Sequence, residues 1–456
     1  MPWRPYARSR RRTMSQLNAA AVEPWSPHPK AAPVLERQGD ACITAANGTR
    51  TCVGGWSVRY EDAEPGATYT IACNAHVTDT HAPADSLRCF VEWAGQEGRH
   101  WEYLIPEFGD DGAVTFVRVV TAPEAASGFT VRMLFRWSTT GTVTWQPPRV
   151  ETATRPEPMP PVTVALVTGK VRGRRGPFRE AQDNIDYYLP LCEAAAAEKP
   201  DLIVLPEIAL HWHIDDSPID LGVTTDSPEA APFADLAKRH GLHLLLGMYE
   251  RDGDAVFNSA VLYGPDGDVA GVYRKVHLAV GGEDENGLLA GDDFPVFDTD
   301  IGRIGCNICM DSSAAESSRM VGLNGADFLL LPIMGDHRAD RWTVGSPYFS
   351  EERWKAIMRA HAMDTQLCMV VVRNETHGSC VVDRKGDVVA WNEGDQDFVI
   401  ATVELDDGFR TWNGACFRDV NWMQRRPHLY NESTNPENAG SMAQATTLPG
   451  RRDISR

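Results

Sequence analysis

Cys309 closes an apolar run, Ile301, Ile304 and Ile308, that climbs like a buried strand, and a Ser/Ala stretch that reads as a helix start follows it. At such a strand end, backbone N–H groups and a helix N-terminus favour thiolate over thiol, and a thiolate is a nucleophile. Free cysteine is more often an inert, small buried hydrophobe, so this residue alone decides nothing. Cys306-Asn-Ile-Cys309 is also a CxxC, the spacing of a redox pair or of half a metal site. A strand of period 2 sends positions 306 and 309 to opposite faces, and no second CxxC occurs in the chain, so both alternatives fit poorly.

What a nucleophilic sulfur needs next is a base, a cation and a second carboxylate at other strand ends. Leu205-Pro206-Glu207 ends an apolar strand in a carboxylate, and desolvation there strengthens a general base. In Tyr273-Arg274-Lys275-Val276-His277-Leu278 the lysine faces opposite to Arg274, and an inward ammonium can stabilise an oxyanion as a compact point charge. Gly281-Gly282-Glu283-Asp284-Glu285 offers the second carboxylate on a loop whose glycines permit close approach. Taken singly these are a helix cap, a basic strand end and a solvated acidic loop. Their joint occurrence, in the order Glu, Lys, Glu, Cys, weakens those bland readings.

Loops beyond the strands should select the substrate. The candidates are His211 and Trp212 just past Glu207, Met310 beside the cysteine, and Met334, His337 and Trp342 past the strand that follows Cys309. His211-Trp-His213 has a metal-like spacing, but no third ligand motif accompanies it, so no metal is expected.

These residues sit in the second part of a 456-residue chain of net charge −19, long enough for two domains and free of membrane-length apolar runs. Through residue 155, Lys and Arg balance Asp and Glu at 16 each, so the acidity belongs to the remainder, which argues against a phosphate-binding surface there and against a nucleic-acid partner. The ten cysteines show no framework spacing, so a reducing, cytoplasmic compartment is expected. Arg8, Arg10, Arg11 and Arg12 precede no apolar segment, which speaks against a secretory signal, and Met14 is an alternative start.

Residues 1–40, the last stretch of them rich in Ala and Pro, predict a poorly ordered extension. Over 41–152, alternating runs such as Trp56–Tyr60, Tyr69–Cys73, Cys89–Trp93 and Phe129–Met133 between Gly/Asp/Pro turns predict an all-β sandwich. Its Pro65-Gly66-Ala-Thr-Tyr69 and Gly141-Thr-Val-Thr-Trp145 phrases resemble jelly-roll carbohydrate-binding modules; Trp56, Trp93, Trp101, Trp137 and Trp145 could form a sugar platform, but core aromatics and a docking or oligomer-stabilising surface are favoured. A proline-rich linker, 153–161, leads into 162–410, where strands and helices alternate as in an α/β layered sheet. Residues 411–456 read as a tail that packs or joins oligomers.

The Glu207, Lys275, Glu283 and Cys309 regions, with Gly305-(x)2-Ile-Cys-(x)-Asp311, Glu316, Arg319, Asn324-Gly-Ala-Asp, Asn374 and Gly378-Ser379, resemble the nitrilase, or carbon-nitrogen hydrolase, superfamily from about Val162 to Asp406. The resemblance implies a four-layer α-β-β-α sandwich, a homo-oligomer, no cofactor, and hydrolysis of a non-peptide carbon-nitrogen bond in a small amide, carbamoyl compound or nitrile. Carried over, it makes Glu207 the general base, Lys275 the oxyanion stabiliser, Cys309 the nucleophile and Glu283 the auxiliary carboxylate. Glu283 keeps the better distance to Gly287 and Gly291, with Glu285 the alternative. Met310 and Ala314-Ala-Glu316 replace the aromatic residue and the Phe-Pro-Glu of many relatives, which alters the nearby pocket wall. Two competing readings remain: an idle hydrolase domain serving as a scaffold or carbohydrate-binding protein, and a redox protein using Cys306 and Cys309.

Overall fold

A computed structural model describes residues 15–169, 178–279, 282–334, 349–374, 377–405, 409–427 and 430. The described residues form two units, one up to residue 157 together with those from 411 onward, and one of 158–410. Each is a layered structure with its own core.

In the first unit an eight-stranded and a five-stranded antiparallel sheet enclose one core, in which Trp56, Trp93, Phe129, Phe135 and Trp145 are buried. The alternating pattern of Thr68–Thr78, with Ile71, Cys73, Ala75 and Val77 buried between exposed or partly exposed neighbours, is what one buried face requires. Three of the five tryptophans suggested by the sequence as a platform, Trp56, Trp93 and Trp145, are therefore core, while Trp137 is exposed and Trp101 half-buried. The expectation of disorder over 1–40 fails from residue 15 onward: Gln16–Leu17, Ala21–Trp25 and Val34–Gln38 are strands of the two sheets. Composition concealed this because Leu17, Val22 and Leu35 are isolated apolar residues that each contact the core. Residues 1–14 lie outside the described part. The tail carries the pair Thr411–Trp412 and Ala415–Cys416 and the helix Phe417–Gln424, held to the first unit by Arg118 to Asp419 and by Arg88 to the Met423 carbonyl.

The second unit has two six-stranded sheets. The centre of the first is parallel, Val162–Val167 beside Leu202–Val204 beside His243–Asp252, and Ala255–Tyr263 and Val269–Arg274 extend it antiparallel. The second repeats the scheme with Gly302–Cys306, Phe328–Ile333 and Cys368–Arg373 in parallel. Strands such as Phe328–Ile333 are apolar and buried throughout because both faces are covered. Alternation divides the side chains: Leu202, Val204, Leu245, Ile304 and Leu330 fill the space between the sheets, whereas Ile203, Leu244 and Leu246 pack outward against helices. Ala181–Ala196 and Ala231–His240 cover one sheet, and Ala315–Leu323 and Glu351–Thr365 cover the other, giving helix, sheet, sheet, helix. Ala231–His240 shows why such helices form here: Phe233, Leu236 and Ala237 make one apolar face, Lys238, Arg239 and His240 oppose the negative end of the dipole, and Gly241 closes it at φ 64°.

Leu330→Ala, at the inter-sheet layer, should destabilise the protein by about 2–5 kcal/mol, against little change for exposed Leu289→Ala, in denaturant titration.

Candidate active site

Four neighbouring strands of the first sheet end at one place. Their order is Val269–Arg274, Ala255–Tyr263, His243–Asp252, Leu202–Val204, and from them or just past them come Lys275, Asn258, Tyr249 and Glu207. Strand parity sends Leu245, Ala260, Leu262 and Tyr273 into the inter-sheet layer, so Tyr249, Asn258 and Lys275, each an even number of residues away, face the same side.

Lys275 is the hub. Its Nζ lies 2.8 Å from Glu207 Oε1 and 2.7 Å from Glu283 Oε2, with its side chain 1% exposed and those of the carboxylates 3% and 15%. Burial alone would push the ammonium's pKa down; the charges of Glu207, Cys309 and Glu283 outweigh it, and the pKa is raised, so the lysine stays charged. Asn258 Nδ2 donates to Glu207 Oε1 at 2.8 Å and to Glu283 Oε1 at 2.5 Å, tying the two carboxylates together. The Met334 amide donates to the other Glu207 oxygen at 2.6 Å, and the Ala279 amide to Glu283 Oε2 at 2.7 Å. Glu207 sits on a turn in which Ile208 has φ 44°, and this turn presses on Gly247, where a Cβ would come within 2.3 Å of the Pro206 oxygen. Asn374 braces it from behind, donating to the Glu207 carbonyl at 2.9 Å and itself receiving the Tyr188 hydroxyl at 3.2 Å.

Cys309 lies not at the end of the strand but three residues beyond Gly302–Cys306, opening a short 3-10 turn, Cys309–Ser313, with the helix starting only at Ala315. Its φ of 43° is a left-handed conformation that a side chain disfavours, so the turn must be held by its surroundings. Asp311, fully buried, does this: its Oδ2 accepts from the Ile308 amide at 2.8 Å and from the Tyr273 hydroxyl at 2.7 Å, and its Oδ1 from the His277 amide at 2.9 Å and Nδ1 at 2.8 Å. One carboxylate thus fastens the cysteine turn to the segment that carries Lys275. Cys309 is half-buried, whereas Cys306 is fully enclosed between the sheets and burial pushes its thiol up, a poor setting for a redox partner.

The structure brings Glu207, Lys275 and Glu283 together and leaves Glu285 exposed, its amide hydrogen-bonded to the neighbouring Asp284 side chain. His211 stacks on Tyr249 beside this cluster, while Trp212 is buried, its carbonyl receiving Asn184. Met310 is half-buried next to Cys309; Met334 meets Glu207 through its backbone, its side chain being exposed. His337 and Trp342 lie outside the described residues. Asn258 and Tyr249 were not foreseen. A lone asparagine inside the apolar strand AVFNSAVLY was the available signal, since a buried amide demands polar partners.

The chain belongs to the carbon-nitrogen hydrolase family, whose profile matches residues 163–412. It is 29% identical over 269 residues to a citrullinase of Francisella tularensis, an alignment covering 52% of this chain and 88% of that protein. It is 30% identical over 244 residues to the chloroplastic omega-amidase of Arabidopsis thaliana, covering 48% and 63%. Among solved structures, a carbon-nitrogen hydrolase from Helicobacter pylori G27 aligns at a TM-score of 0.49 and 22% identity, over 60% of this chain and 98% of that one.

The His277–Asp311 hydrogen bond raises the imidazole's pKa above its ordinary 6.5, the nearby charges of Asp311 and Glu316 adding to it and partial burial opposing it. Because the folded value lies above the unfolded one, this stabilisation is complete below about pH 6.5 and fades as pH rises through the raised value. The melting-temperature advantage of the native protein over His277→Asn should therefore shrink with rising pH across that window; a constant gap would contradict the assignment.

Proposed function

We propose that the second unit hydrolyses a non-peptide carbon-nitrogen bond, in a small amide or N-carbamoyl compound, through a thioester on Cys309. The observation that carries this reading is a buried ammonium held between two carboxylates, in electrostatic reach of a half-buried cysteine on a strained turn. The citrullinase and omega-amidase names of relatives point the same way.

In this reading Glu207 takes the Cys309 thiol proton and the sulfur attacks the carbonyl carbon, whose π electrons move onto oxygen. Lys275 and the backbone N–H after Cys309 stabilise that oxyanion. The carbon-nitrogen bond breaks, its electrons passing to nitrogen, which takes the proton from Glu207 and leaves as ammonia or an amine. Water, deprotonated by Glu207, then adds to the thioester carbon, and the sulfur departs and recovers its proton. Glu283 serves as the auxiliary carboxylate that keeps Lys275 charged and in place. A nitrile would be attacked at its carbon to give a thioimidate, which adds a water before ammonia leaves and the thioester forms, so assays should pair each amide with its nitrile. No organic cofactor or metal enters this scheme. We further propose that the protein works in a reducing compartment as a homo-oligomer and that the first unit serves docking or packing; its buried Trp56, Trp93 and Trp145 favour this over a sugar platform.

Glu207→Gln keeps the shape of the base but cannot activate water. Since the same carboxylate takes the thiol proton, the variant incubated with a library of small amides and analysed by intact-protein and peptide mass spectrometry should acylate Cys309 far more slowly than the native protein, which should carry the acyl adduct when quenched in acid during turnover. Hydrolysis surviving in Cys309→Ala would overturn the mechanism.

A further inference from the structure

Tyr249 occupies a place for which the mechanism above has no use. Its strand pairs with the next so that Tyr249 lies directly opposite Asn258, and residues so paired have their side chains on the same face, Cβ atoms about 4.5–5.5 Å apart. Asn258 is the amide that touches both Glu207 and Glu283. In the strand order Tyr249 stands between Asn258 and the turn bearing Glu207, so the phenol projects into the same inter-sheet space as the proposed machinery.

The ring is held from the other side by His211. The imidazole stacks on it at 5.5 Å between centroids and 19° between planes, and His211 Nδ1 accepts the Tyr249 amide proton at 3.1 Å. That bond requires Nδ1 to be unprotonated, and burial pushes the imidazole's pKa down to about 3, so the ring is neutral in any ordinary buffer. A neutral, fully buried histidine four residues after the proposed base thus serves as a clamp on an aromatic residue of the adjacent strand.

The phenol itself is partly exposed, and its hydroxyl has no hydrogen-bond partner among the described residues. Burial raises its pKa, and the negative charges of Glu207 and Glu283 raise it further against the pull of Lys275, so it remains a hydroxyl able to donate. Standing across from Asn258 and next to the turn that bears Glu207, the hydroxyl lies beside the ammonium–carboxylate cluster, in space that a bound substrate would share.

We propose that Tyr249 is a specificity-determining residue, its hydroxyl hydrogen-bonding a polar group on the acyl chain of the substrate, and that His211 is the positioning residue which fixes it. The inference rests on the hydrolase reading for what the pocket binds. It narrows that reading to amides or carbamoyl compounds whose acyl portion carries a hydrogen-bonding substituent, as opposed to plain aliphatic amides.

Binding can be measured apart from turnover. In the full-length Cys309→Ala protein, calorimetry would compare valeramide with γ-hydroxybutyramide, in which a hydroxyl replaces the terminal methyl, each with and without Tyr249→Phe. A hydrogen bond lost from a desolvated site is a factor of roughly 10–100 in affinity. The hydroxylated amide should lose that factor beyond any loss by valeramide, and His211→Ala should lose part of it while His211→Asn, which retains an acceptor, recovers it. Equal losses for the two amides, no loss for either, or no binding of the hydroxylated amide would each overturn the proposal. Hydrolysis of both amides by the native protein, read separately, keeps the two readings apart: if it occurs while the affinity difference is missing, only the role of Tyr249 fails, and if neither amide nor its nitrile is hydrolysed, the hydrolase reading fails.

Discussion

A lysine ammonium removed from water is tolerable only where opposite charge replaces the water, and Lys275, 1% exposed, has two carboxylates within 2.8 Å. Removing one partner of such a group leaves an uncompensated buried charge, a loss of about 3–5 kcal/mol in general. The pairing therefore fixes geometry as well as charge. Glu207 and Glu283 come from separate segments, one following a strand and one on a loop, and neither could stay buried in this inter-sheet space without the cation and Asn258 between them.

The two sheets make the arrangement hold. Their apolar interlayer, from Val164 and Leu245 to Ile304 and Val370, places the strand ends of the first sheet opposite the Cys309 turn of the second. Asp311 then crosses between them, taking Tyr273 and His277 from one side and Ile308 from its own. Glu250 does similar work on the opposite face of the first sheet, gripping Arg274 at 2.6 and 2.9 Å, so that the residue next to Arg274 is turned inward. The strain of φ 43° at Cys309 persists because its neighbours are bound on every side.

The α/β unit was legible because its strands are long apolar runs and its helices carry a clear apolar face; the turn chemistry after Ile308 was not, since Asp311's role depends on partners from residues 273 and 277. Glu207 and Cys309 could be singled out because each follows an apolar run, and Lys275 because it alternates inward from Arg274 just past a strand. Asn258 and Tyr249 lie within strands, where an isolated polar or aromatic residue has many ordinary explanations, and only the cross-strand register brings them together. The early strands Gln16–Leu17 and Val34–Gln38 escaped for a related reason: each is a short edge strand that sets a single residue, Leu17 or Leu35, against the core and leaves no periodic signal.

In the proposed mechanism the Lys275 charge, held by two carboxylates, sets the reactivity of Cys309. The most direct test is the rate at which iodoacetamide alkylates Cys309, followed by peptide mass spectrometry from pH 5 to 10 in the native protein and in Lys275→Met, with circular dichroism to verify folding. Loss of the ammonium should shift the pH midpoint of alkylation upward and slow the reaction at neutral pH by tenfold or more, about 1.4 kcal/mol per factor of ten. Superimposable profiles in two folded proteins would contradict the mechanism.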